Sequence, residues 1–375
     1  MSNNNNLIAF YLATSGHSGV DRIAKNLIPA LVNRGYRVDL LKVRHHGPYL
    51  DYSSDNFRVI DLKSSHVYPS LPAVISYINR ENPAILYSDK DRVNRTALLA
   101  RFLSRKHPRL ILSSGTTISI DLSNRGFFER NLQKFSMGHF YKHADNVIVT
   151  AKGVASDMSS YTGLDIKHIN VVPCPVIHAS LMTDPQPTPD HPWFKENIPI
   201  ILGAGELAWR KDFETLIKAF AIIRHQRKIR LVILGKGKEL ENLKQLAQKL
   251  NVLDDVYFAG FQENPYQYMA HASVFAFSSR WEGLGFVVIE ALAVGTQVVA
   301  TRCPSGPEEI LENGKYGHLV DVGDYHAMAT SIISTLETPL PKPFLQEAVK
   351  KYEIESSTSA YLDAFNLPHN FPEYA

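Results

Sequence analysis

Two glutamates, Glu282 and Glu290, stand eight positions apart beside a glycine-bearing turn. The turn, Glu-Gly-Leu-Gly at 282–285, follows an apolar stretch, 273–277, that is typical of a buried strand, and it precedes a helical apolar pattern that ends at Gly295. Such a turn presents backbone N–H groups and the positive end of a helix dipole, which suits a phosphate. Because a phosphate repels a neighbouring carboxylate, we expect both glutamates to accept hydrogen bonds from sugar or ribose hydroxyls. The alternative is a pair of glutamates on a solvated helix face.

A second glycine-bearing turn, Gly-Ala-Gly-Glu-Leu-Ala at 203–208, follows the apolar stretch 199–202. Taken alone, it fits the dinucleotide fingerprint Gly-x-Gly-x-x-Ala. However, a fingerprint helix begins within the glycines, whereas here Trp-Arg-Lys intervenes and Asp212 is the better N-cap for the helical pattern that follows. The sequence therefore disfavours a nicotinamide or flavin site at this turn.

The first half of the chain begins with a strand–turn–helix–strand pattern. An apolar run at 7–12 predicts a buried parallel strand, glycines mark a turn at 15–20, and a helical pattern then leads to a second strand at 36–43. This is the start of a Rossmann-like domain. Further strands are predicted at 57–61, 84–87, 109–113 and 146–150, and a helix at 93–103.

The motifs of the second half resemble those of a known family. Glu-x7-Glu after Ser-Arg, with Ala-x-Ala-x-Gly at 291–295 and Val-Val-Ala-Thr at 298–301, resembles the donor-site signature of the family 4 retaining glycosyltransferases. The resemblance implies a GT-B fold, an α/β architecture with two Rossmann-like domains facing each other across a cleft. The predicted boundaries are an N-terminal acceptor domain over 1–173, joined by the C-terminal helix 352–375, a proline-rich linker over 174–192, and a donor domain over 193–351.

The resemblance also implies which residues bind a nucleotide-sugar donor. Lys211 matches a family lysine that, with an arginine, grips the donor diphosphate without a metal. Catalytic roles fall to Glu282, Arg210 and Lys211, and Glu290 is expected to bind the ribose. The full donor-binding set is Gly19, Gly205, Arg210, Lys211, Phe261, Glu282, Gly283, Leu284, Gly285, Phe286 and Glu290. No metal and no cofactor are expected.

Two members of this set have structural alternatives. Gly19, with Ser18, lies in the first βα turn, which in the family faces the donor phosphates or the acceptor, but it also fits an ordinary βα turn. Phe261 lies in a segment that resembles the one bordering the nucleotide base, but it also fits a strand end that packs against a helix.

Two positions depart from the family pattern. The family's arginine position is Glu206 here, and a carboxylate beside a diphosphate is unfavourable; Arg210 supplies the missing guanidinium, or Glu206 turns away, or donor affinity is reduced. A histidine that contacts the sugar in relatives is replaced by Gly115, next to Ser114 and Thr116. Those hydroxyls can bind the sugar but cannot accept a proton near neutral pH.

The implied reaction is retaining transfer of a hexose or N-acetylhexosamine from a UDP-linked donor to a hydroxyl of a glycan or lipid-linked acceptor. Bacterial surface polysaccharide or lipopolysaccharide assembly is the expected pathway. Asp89-Lys-Asp91 matches the Asp-x-Asp motif of metal-dependent glycosyltransferases of another fold, an alternative that the GT-B pattern disfavours. The main alternative is an inactive homologue that binds nucleotide or glycan as a scaffold, motivated by Glu206 and Gly115.

Charge is unevenly distributed along the chain. Residues 1–172 hold 22 Lys and Arg and 13 Asp and Glu, a formal charge of +9, whereas residues 173–375 carry −6. A basic first half suggests a pyrophosphate-linked acceptor or an anionic membrane, along which Arg101, Arg105, Lys106 and Arg109 could lie. Nucleic acid is disfavoured because the chain has no aromatic-and-basic nucleic-acid motif.

The remaining composition bears on the compartment. Two cysteines, Cys174 and Cys303, are too few for a disulfide framework, which favours a reducing compartment. The asparagine-rich start lacks the basic region of a signal peptide, and no stretch approaches the roughly 20 apolar residues that span a bilayer. We therefore expect a cytoplasmic protein, with peripheral attachment to the inner face of the membrane as a hypothesis.

Overall fold

The computed structural model describes residues 6–16, 18–123 and 125–370, which fold into two compact units. Unit 1 comprises Met1–Val176 and Ile354–Ala375, and unit 2 comprises Ile177–Glu353. The proline-rich run predicted as a linker therefore belongs largely to unit 2. The asparagine-rich start at 1–5 and residues 371–375 lie outside the described residues. The C-terminal helix predicted over 352–375 is shorter in the structure, Ile354–Phe365, because the chain turns after Phe365.

The described residues of unit 1 contain a seven-stranded parallel sheet in the order β3-β2-β1-β4-β5-β6-β7. The strands are β1 (Leu7–Leu12), β2 (Arg37–Lys42), β3 (Phe57–Asp61), β4 (Ile85–Asp89), β5 (Arg109–Ser114), β6 (Asn146–Val149) and β7 (Ile169–Val171). The helices are α1 (Gly19–Asn33), α2 (Leu71–Glu81), α3 (Asp91–Leu103), α4 (Ile118–Ser123), α5 (Phe127–Phe140), α6 (Lys152–Thr162) and the C-terminal α15 (Ile354–Phe365). Every residue of β1 is buried, as expected for a strand covered on both faces.

Unit 2 contains a six-stranded parallel sheet in the order β10-β9-β8-β11-β12-β13. The strands are β8 (Ile200–Ala204), β9 (Arg230–Leu234), β10 (Val256–Gly260), β11 (Val274–Phe277), β12 (Gln297–Thr301) and β13 (His318–Val320). The helices are α7 (Ala179–Thr183), α8 (Phe213–Arg224), α9 (Leu240–Lys249), α10 (Tyr266–Ala270), α11 (Phe286–Val294), α12 (Pro307–Ile310), α13 (Tyr325–Glu337) and α14 (Lys342–Glu347). Apolar residues of α8, α9 and α13 pack on one face of this sheet and form its core.

Both units are parallel sheets with crossover helices, so the prediction of two Rossmann-like domains is confirmed. The predicted strands agree with the observed ones to within about two residues, since each apolar run ends where the chain turns. Within the described residues, no helix combines the length and apolar character needed to cross a membrane.

Candidate active site

The candidate site lies at the carboxyl ends of β8 and β11, which pair directly in the middle of the sheet of unit 2. The strand order reverses between these two strands, so the chain leaves them in opposite directions. Open α/β sheets bind ligands in the crevice that such a switch point creates. The segments that follow the two strands, 205–212 and 278–285, contain most of the predicted donor-binding residues.

Glu282 is the point at which the charged groups of these segments converge. One carboxylate oxygen lies 2.6 Å from Nζ of Lys211 and 2.8 Å from Nη1 of Arg210. The hydroxyl of Ser279 donates to the same oxygen at 2.9 Å. Two cations against one carboxylate leave a net positive charge at the switch point, which suits an anionic ligand.

The pKa of Glu282 reflects this environment. Burial by itself raises the pKa of the carboxyl group, but the charges of Lys211 and Arg210 outweigh it, and the pKa lies below the ordinary value of 4.5. Burial and then the negative charge of Glu282 raise the pKa of the Cys303 thiol to about 12. Glu282 is therefore an anion at neutral pH, while Cys303 is a protonated thiol.

This lowered pKa predicts a pH-dependent contribution to stability. The contribution of Glu282 is fully present above its ordinary pKa of 4.5 and is lost as the pH falls through the lower folded-state value. We expect the difference in unfolding free energy between wild type and Glu282→Gln to shrink in this acid range. Urea denaturation of both proteins across acid pH measures the difference. A difference that stays constant with pH would contradict the assignment.

Backbone contacts fix the segment that carries the two cations. Arg210 and Lys211 lie in a single 3₁₀ turn, Trp209–Lys211. The carbonyl of Arg210 accepts from the N–H of Arg280 at 2.8 Å, and the carbonyl of Lys211 accepts from the Ser278 hydroxyl at 2.8 Å. The cation-bearing turn is thus tied to the strand end that leads to Glu282, although 71 positions separate Lys211 from Glu282.

Gly205 provides the space that the Lys211 side chain needs. A Cβ at position 205 would lie 3.1 Å from Cε and 3.3 Å from Cδ of Lys211, closer than most real contacts. The lysine stem also passes the ring of Phe277, with Nζ 5.4 Å from its centroid. Gly205 therefore affects the site indirectly, because its lack of a side chain leaves room for the Lys211 side chain.

The predicted phosphate turn leads into α11 as expected. Gly285 is the N-cap of α11 in a left-handed conformation, with φ of +88°, and Phe286 begins the helix. Leu284 is buried, and the N–H of Glu282 donates to the carbonyl of Pro304 at 2.9 Å. Gly283 and Leu284 thus form a turn pinned by the neighbouring 304–306 loop.

Glu290 lies inside α11 and is only 2% exposed. The hydroxyl of Tyr266, at the start of α10, donates to its carboxylate at 3.0 Å. The solvated helix face that was the alternative for Glu290 is therefore wrong. Its assignment to a ribose stays a prediction, with Tyr266 as the side chain that orients the carboxylate.

Phe261 and Glu206 both lie on the surface of unit 2. Phe261 directly follows β10 and is 66% exposed, so it is not a packed strand end. Glu206 is also exposed, and no ion pair involving it is found in the described part of the chain. Position 206, where the family has an arginine, holds a glutamate in this chain. Arg210 contacts Glu282, which favours Arg210 as the guanidinium of the site.

The first βα turn of unit 1 has its own internal partners. Ser18 is the N-cap of α1 and Gly19 begins the helix. The N–H and hydroxyl of Ser18 both donate to Asp21, at 2.6 and 2.5 Å, and the Thr14 hydroxyl donates to the same buried carboxylate. The carboxylate of Asp21 thus occupies this helix start, which favours the ordinary βα turn for Gly19 over a phosphate site.

Asp89 and Asp91 also have internal roles. Both are buried, and burial raises the pKa of each. Asp91 pairs with Arg95 at 2.7 Å and accepts from the Tyr141 hydroxyl at 3.1 Å. Among the described residues, no group of three or more His, Cys, Asp or Glu side chains could hold a metal ion.

Gly115, at the family's histidine position, lies directly after β5, at the carboxyl edge of the sheet of unit 1.

An aromatic pair beside the cations was not predicted from the sequence. Trp209 is 61% exposed, and its ring centroid lies 5.4 Å from that of Trp281. The Arg280 guanidinium lies 4.8 Å from the centre of the Trp209 ring and pairs with buried Asp212 at 2.9 Å. The signal available in the sequence was two tryptophans, each next to a proposed catalytic residue. The exposed part of the Trp209 ring suits a sugar ring or base.

Comparison with known proteins identifies the family. The model described as Glycosyltransferase Family 4 matches residues 17–179, and the model described as Glycosyl transferases group 1 matches residues 189–354. The two matches together take in most of the chain. This chain belongs to glycosyltransferase family 4.

Individual relatives of this family 4 glycosyltransferase act in glycan assembly. This chain is 27% identical over 347 residues to the N-acetylgalactosamine-N,N'-diacetylbacillosaminyl-diphospho-undecaprenol 4-alpha-N-acetylgalactosaminyltransferase of Campylobacter jejuni. The match covers 88% of this chain and 90% of that protein. This chain is also 37% identical over 169 residues to the lipopolysaccharide core biosynthesis glycosyltransferase LpsE of Rhizobium meliloti, covering 44% and 48%. The crystal structure of Anabaena HepE in complex with UDP matches with a TM-score of 0.75 at 17% identity, covering 96% of this chain and 99% of that one. The fold is GT-B.

Proposed function

We propose that this family 4 glycosyltransferase moves a hexose or N-acetylhexosamine from a UDP-linked donor to a hydroxyl of a glycan or lipid-linked acceptor, with retention of anomeric configuration. The observation that carries the proposal is the convergence of Arg210 and Lys211 on Glu282 at the switch point of unit 2. Two similarities support it. The HepE structure contains UDP, and the name of the Campylobacter relative specifies a diphospho-undecaprenol-linked acceptor. Surface polysaccharide or lipopolysaccharide assembly is the pathway that fits.

The two cations are proposed to bind the donor diphosphate. In the transfer step, the bond between the anomeric carbon and the β-phosphate oxygen breaks, and a bond from that carbon to the acceptor oxygen forms on the same face. The acceptor proton passes to the departing phosphate oxygen, so no protein nucleophile is needed. Negative charge on the diphosphate is greatest late in this step, where Lys211 and Arg210 stabilise it most.

Glu282 is proposed to position these cations and also to accept a hydrogen bond from a sugar hydroxyl. A carboxylate that holds both Nζ of Lys211 and Nη1 of Arg210 keeps them near one point before the donor arrives. Such preorganisation reduces the reorganisation needed during the reaction. Because two protein cations can neutralise the diphosphate, the proposal includes metal-independent transfer. Activity that is lost in chelator and restored by Mg²⁺ or Mn²⁺ would exclude this part.

The nucleotide half of the donor is proposed to bind near Glu290 and Phe261. Glu290→Gln is expected to weaken UDP binding roughly 10- to 100-fold, because a hydrogen bond to a charged group contributes about 1.5–3 kcal/mol. Titration calorimetry with UDP measures this change. Tyr266→Phe, which removes only the hydroxyl that holds the carboxylate, should weaken UDP binding less. Wild-type UDP affinity in Glu290→Gln would show that the ribose binds elsewhere.

The proposed function is tested by incubating the protein with a panel of UDP-sugars and lipid-linked or glycan acceptors, and by assigning the new linkage by NMR. Transfer with the donor's anomeric configuration is the expected result. The inactive-homologue alternative is favoured by Glu206 and Gly115, which stand at the family's arginine and histidine positions. Tight UDP-sugar binding without transfer or hydrolysis across the panel would support that alternative.

A further inference from the structure

The exposed apolar side chains of unit 2 lie at one edge of its sheet. Among the residues that the structure describes in this unit, the large hydrophobic side chains that are exposed are Trp209, Phe261 and Val322. Each follows the carboxyl end of a strand, which is the edge that holds the candidate site. Trp209 directly precedes the two cations, because Arg210 and Lys211 complete its 3₁₀ turn. Its exposure therefore lies at the site.

The Trp209 ring is held in its exposed position by charged groups. The Arg280 guanidinium lies over one face of the ring, 4.8 Å from its centre. Arg280 is itself fixed, because it pairs at 2.9 Å with Asp212, whose side chain is 1% exposed. The Asp212 carboxylate also accepts from the Thr215 hydroxyl of α8 at 2.9 Å. One face of the ring is thus anchored through Arg280 to the start of α8, and the exposed area belongs to the rest of the ring.

Trp281 lies beside the Trp209 ring at an angle. The two ring centroids are 5.4 Å apart, and the ring planes are inclined by 59°. Trp281 is half-buried, so it supports Trp209 from one side. The N–H of Arg280 donates to the carbonyl of Arg210 at 2.8 Å, which ties together the two segments that carry the tryptophans. We call Trp209, Trp281 and Arg280 the tryptophan platform.

The chemistry of the tryptophan platform favours a neutral ring as its ligand. The face of an indole carries partial negative charge, so it repels phosphate and carboxylate groups. A pyranose presents C–H groups on one face, and these pack against an aromatic face while the hydroxyls stay hydrogen-bonded at the rim of the ring. A held, exposed indole beside a cationic site therefore suits the sugar part of a substrate.

A nucleobase is the alternative ring, and the strand order disfavours it. The proposed function, on which this step rests, places the nucleotide near Phe261 and Glu290. Because β9 lies between β10 and β8, the ends of β10 and β8 are about 10 Å apart, at roughly 4.8 Å per strand. A UDP with its base near Phe261, after β10, and its diphosphate at the cations, after β8, has its base directed away from the platform.

Two sugar rings remain as ligands, that of the donor and that of the acceptor. The donor sugar is joined to the diphosphate and is proposed to contact Glu282, whose side chain is only 11% exposed. Trp209, in contrast, is 61% exposed. An acceptor glycan continues beyond the sugar that reacts, so it requires a contact surface that is open to solvent. The exposure of Trp209 therefore favours the acceptor.

We propose that the tryptophan platform is an acceptor subsite, on which a pyranose ring of the glycan acceptor stacks against Trp209. The subsite lies on unit 2, whereas the sequence predicted acceptor recognition in the N-terminal domain. Arg280 and Trp281 keep the indole in place before the acceptor arrives, so little ordering is required when the sugar binds. The proposal deepens the proposed function, since the sugar that stacks belongs to the substrate that receives the transferred sugar.

Tryptophan fluorescence tests the proposal without donor or transfer. The chain has three tryptophans, and the third, Trp193, packs against Tyr257 and Arg230 near the amino ends of β10 and β9. Trp193→Phe therefore leaves the platform as the source of all tryptophan emission. This variant is titrated with the methyl glycosides of N-acetylgalactosamine, N-acetylglucosamine, galactose and glucose. We expect a saturable change in emission with at least one of them.

Variants at position 209 test whether the indole itself binds the sugar. The affinity for the same glycosides, measured by ligand-detected NMR, should fall about tenfold in Trp209→Leu, because the aromatic face is lost while an apolar side chain remains. Trp209→Phe should recover most of this affinity. Trp193→Phe is the matched control and should bind the glycosides like wild type, because Trp193 lies at the opposite edge of the sheet.

Calorimetry with UDP and UDP-sugars distinguishes the acceptor sugar from the donor sugar. Trp209→Leu should bind UDP like wild type and should keep the wild-type ratio of UDP-sugar affinity to UDP affinity for UDP-glucose, UDP-galactose and their N-acetylated forms. A ratio that falls in Trp209→Leu would place the donor sugar on the platform and overturn the proposal. Platform emission that responds to no glycoside, or wild-type glycoside affinity in Trp209→Leu, would overturn it as well. A wild type that binds glycosides but not UDP would contradict the proposed function and still support stacking on the platform.

Discussion

Replacing Lys211 with methionine is expected to lower kcat for sugar transfer by about 10²–10³-fold, the usual effect of removing one preorganised group that stabilises transition-state charge. Methionine keeps an unbranched stem in the space beside Gly205 and removes only the charge that lies 2.6 Å from Glu282. Release of UDP at saturating donor and acceptor measures the change.

Lys218 provides the matched control for this prediction. It lies in α8 of the same unit and pairs with Glu214 on an exposed surface. Lys218→Met should therefore retain wild-type kcat. The kcat of Arg210→Met should lie between those of Lys211→Met and Lys218→Met, because Lys211 remains in place. Wild-type turnover in Lys211→Met would exclude a role for this lysine in leaving-group departure.

Replacing Glu282 with glutamine is expected to lower kcat by about 10²-fold while UDP binds at least as tightly as to wild type. The amide no longer anchors the two cations by charge, and a misplacement of about 1 Å at a reacting centre can cost this much. At the same time, the carboxylate no longer competes with the diphosphate for Lys211 and Arg210. The measurements are kcat at saturating donor and the Kd of UDP.

The comparison of UDP with UDP-sugar separates the two roles of Glu282. If Glu282 only bound a sugar hydroxyl, Glu282→Gln would weaken UDP-sugar relative to UDP and leave the cations in place. Glu308→Gln is the control, since Glu308 is exposed and pairs with Arg302. A Glu282→Gln variant that binds UDP more weakly than wild type would contradict the positioning role.

Much of the fold could be predicted from local patterns in the sequence. The apolar run 7–12 is completely buried in β1, and α8 begins directly after Asp212 as predicted. The Asp212 carboxylate does not cap the helix N–H groups, because it accepts from the Thr215 hydroxyl and pairs with Arg280. Glycine turns after apolar strands predicted the βα units, because the requirement for a turn at a strand end is local. The position of the candidate site followed from the same logic, since both charged segments come directly after a strand.

The contacts across the site could not be predicted in the same way. Lys211 and Glu282 meet only because β8 and β11 are neighbours at the switch point, and strand order is a property of the whole sheet. The burial of Glu290 against Tyr266 depends likewise on how α10 packs on α11. The exposure of Phe128, Leu132 and Phe135 on α5 was missed because helical spacing shows that an apolar stripe exists but not which way it faces.

The affinity of UDP relative to UMP, measured by titration calorimetry for wild type and Lys211→Met, tests most directly whether the cations at the β8–β11 switch point bind the donor diphosphate. Wild type is predicted to bind UDP roughly 10- to 100-fold more tightly than UMP, because the additional phosphate meets charged donors. In Lys211→Met, the ratio of the UMP Kd to the UDP Kd should fall towards one, while the affinity for UMP changes little. An equal preference for UDP in both proteins would contradict the account.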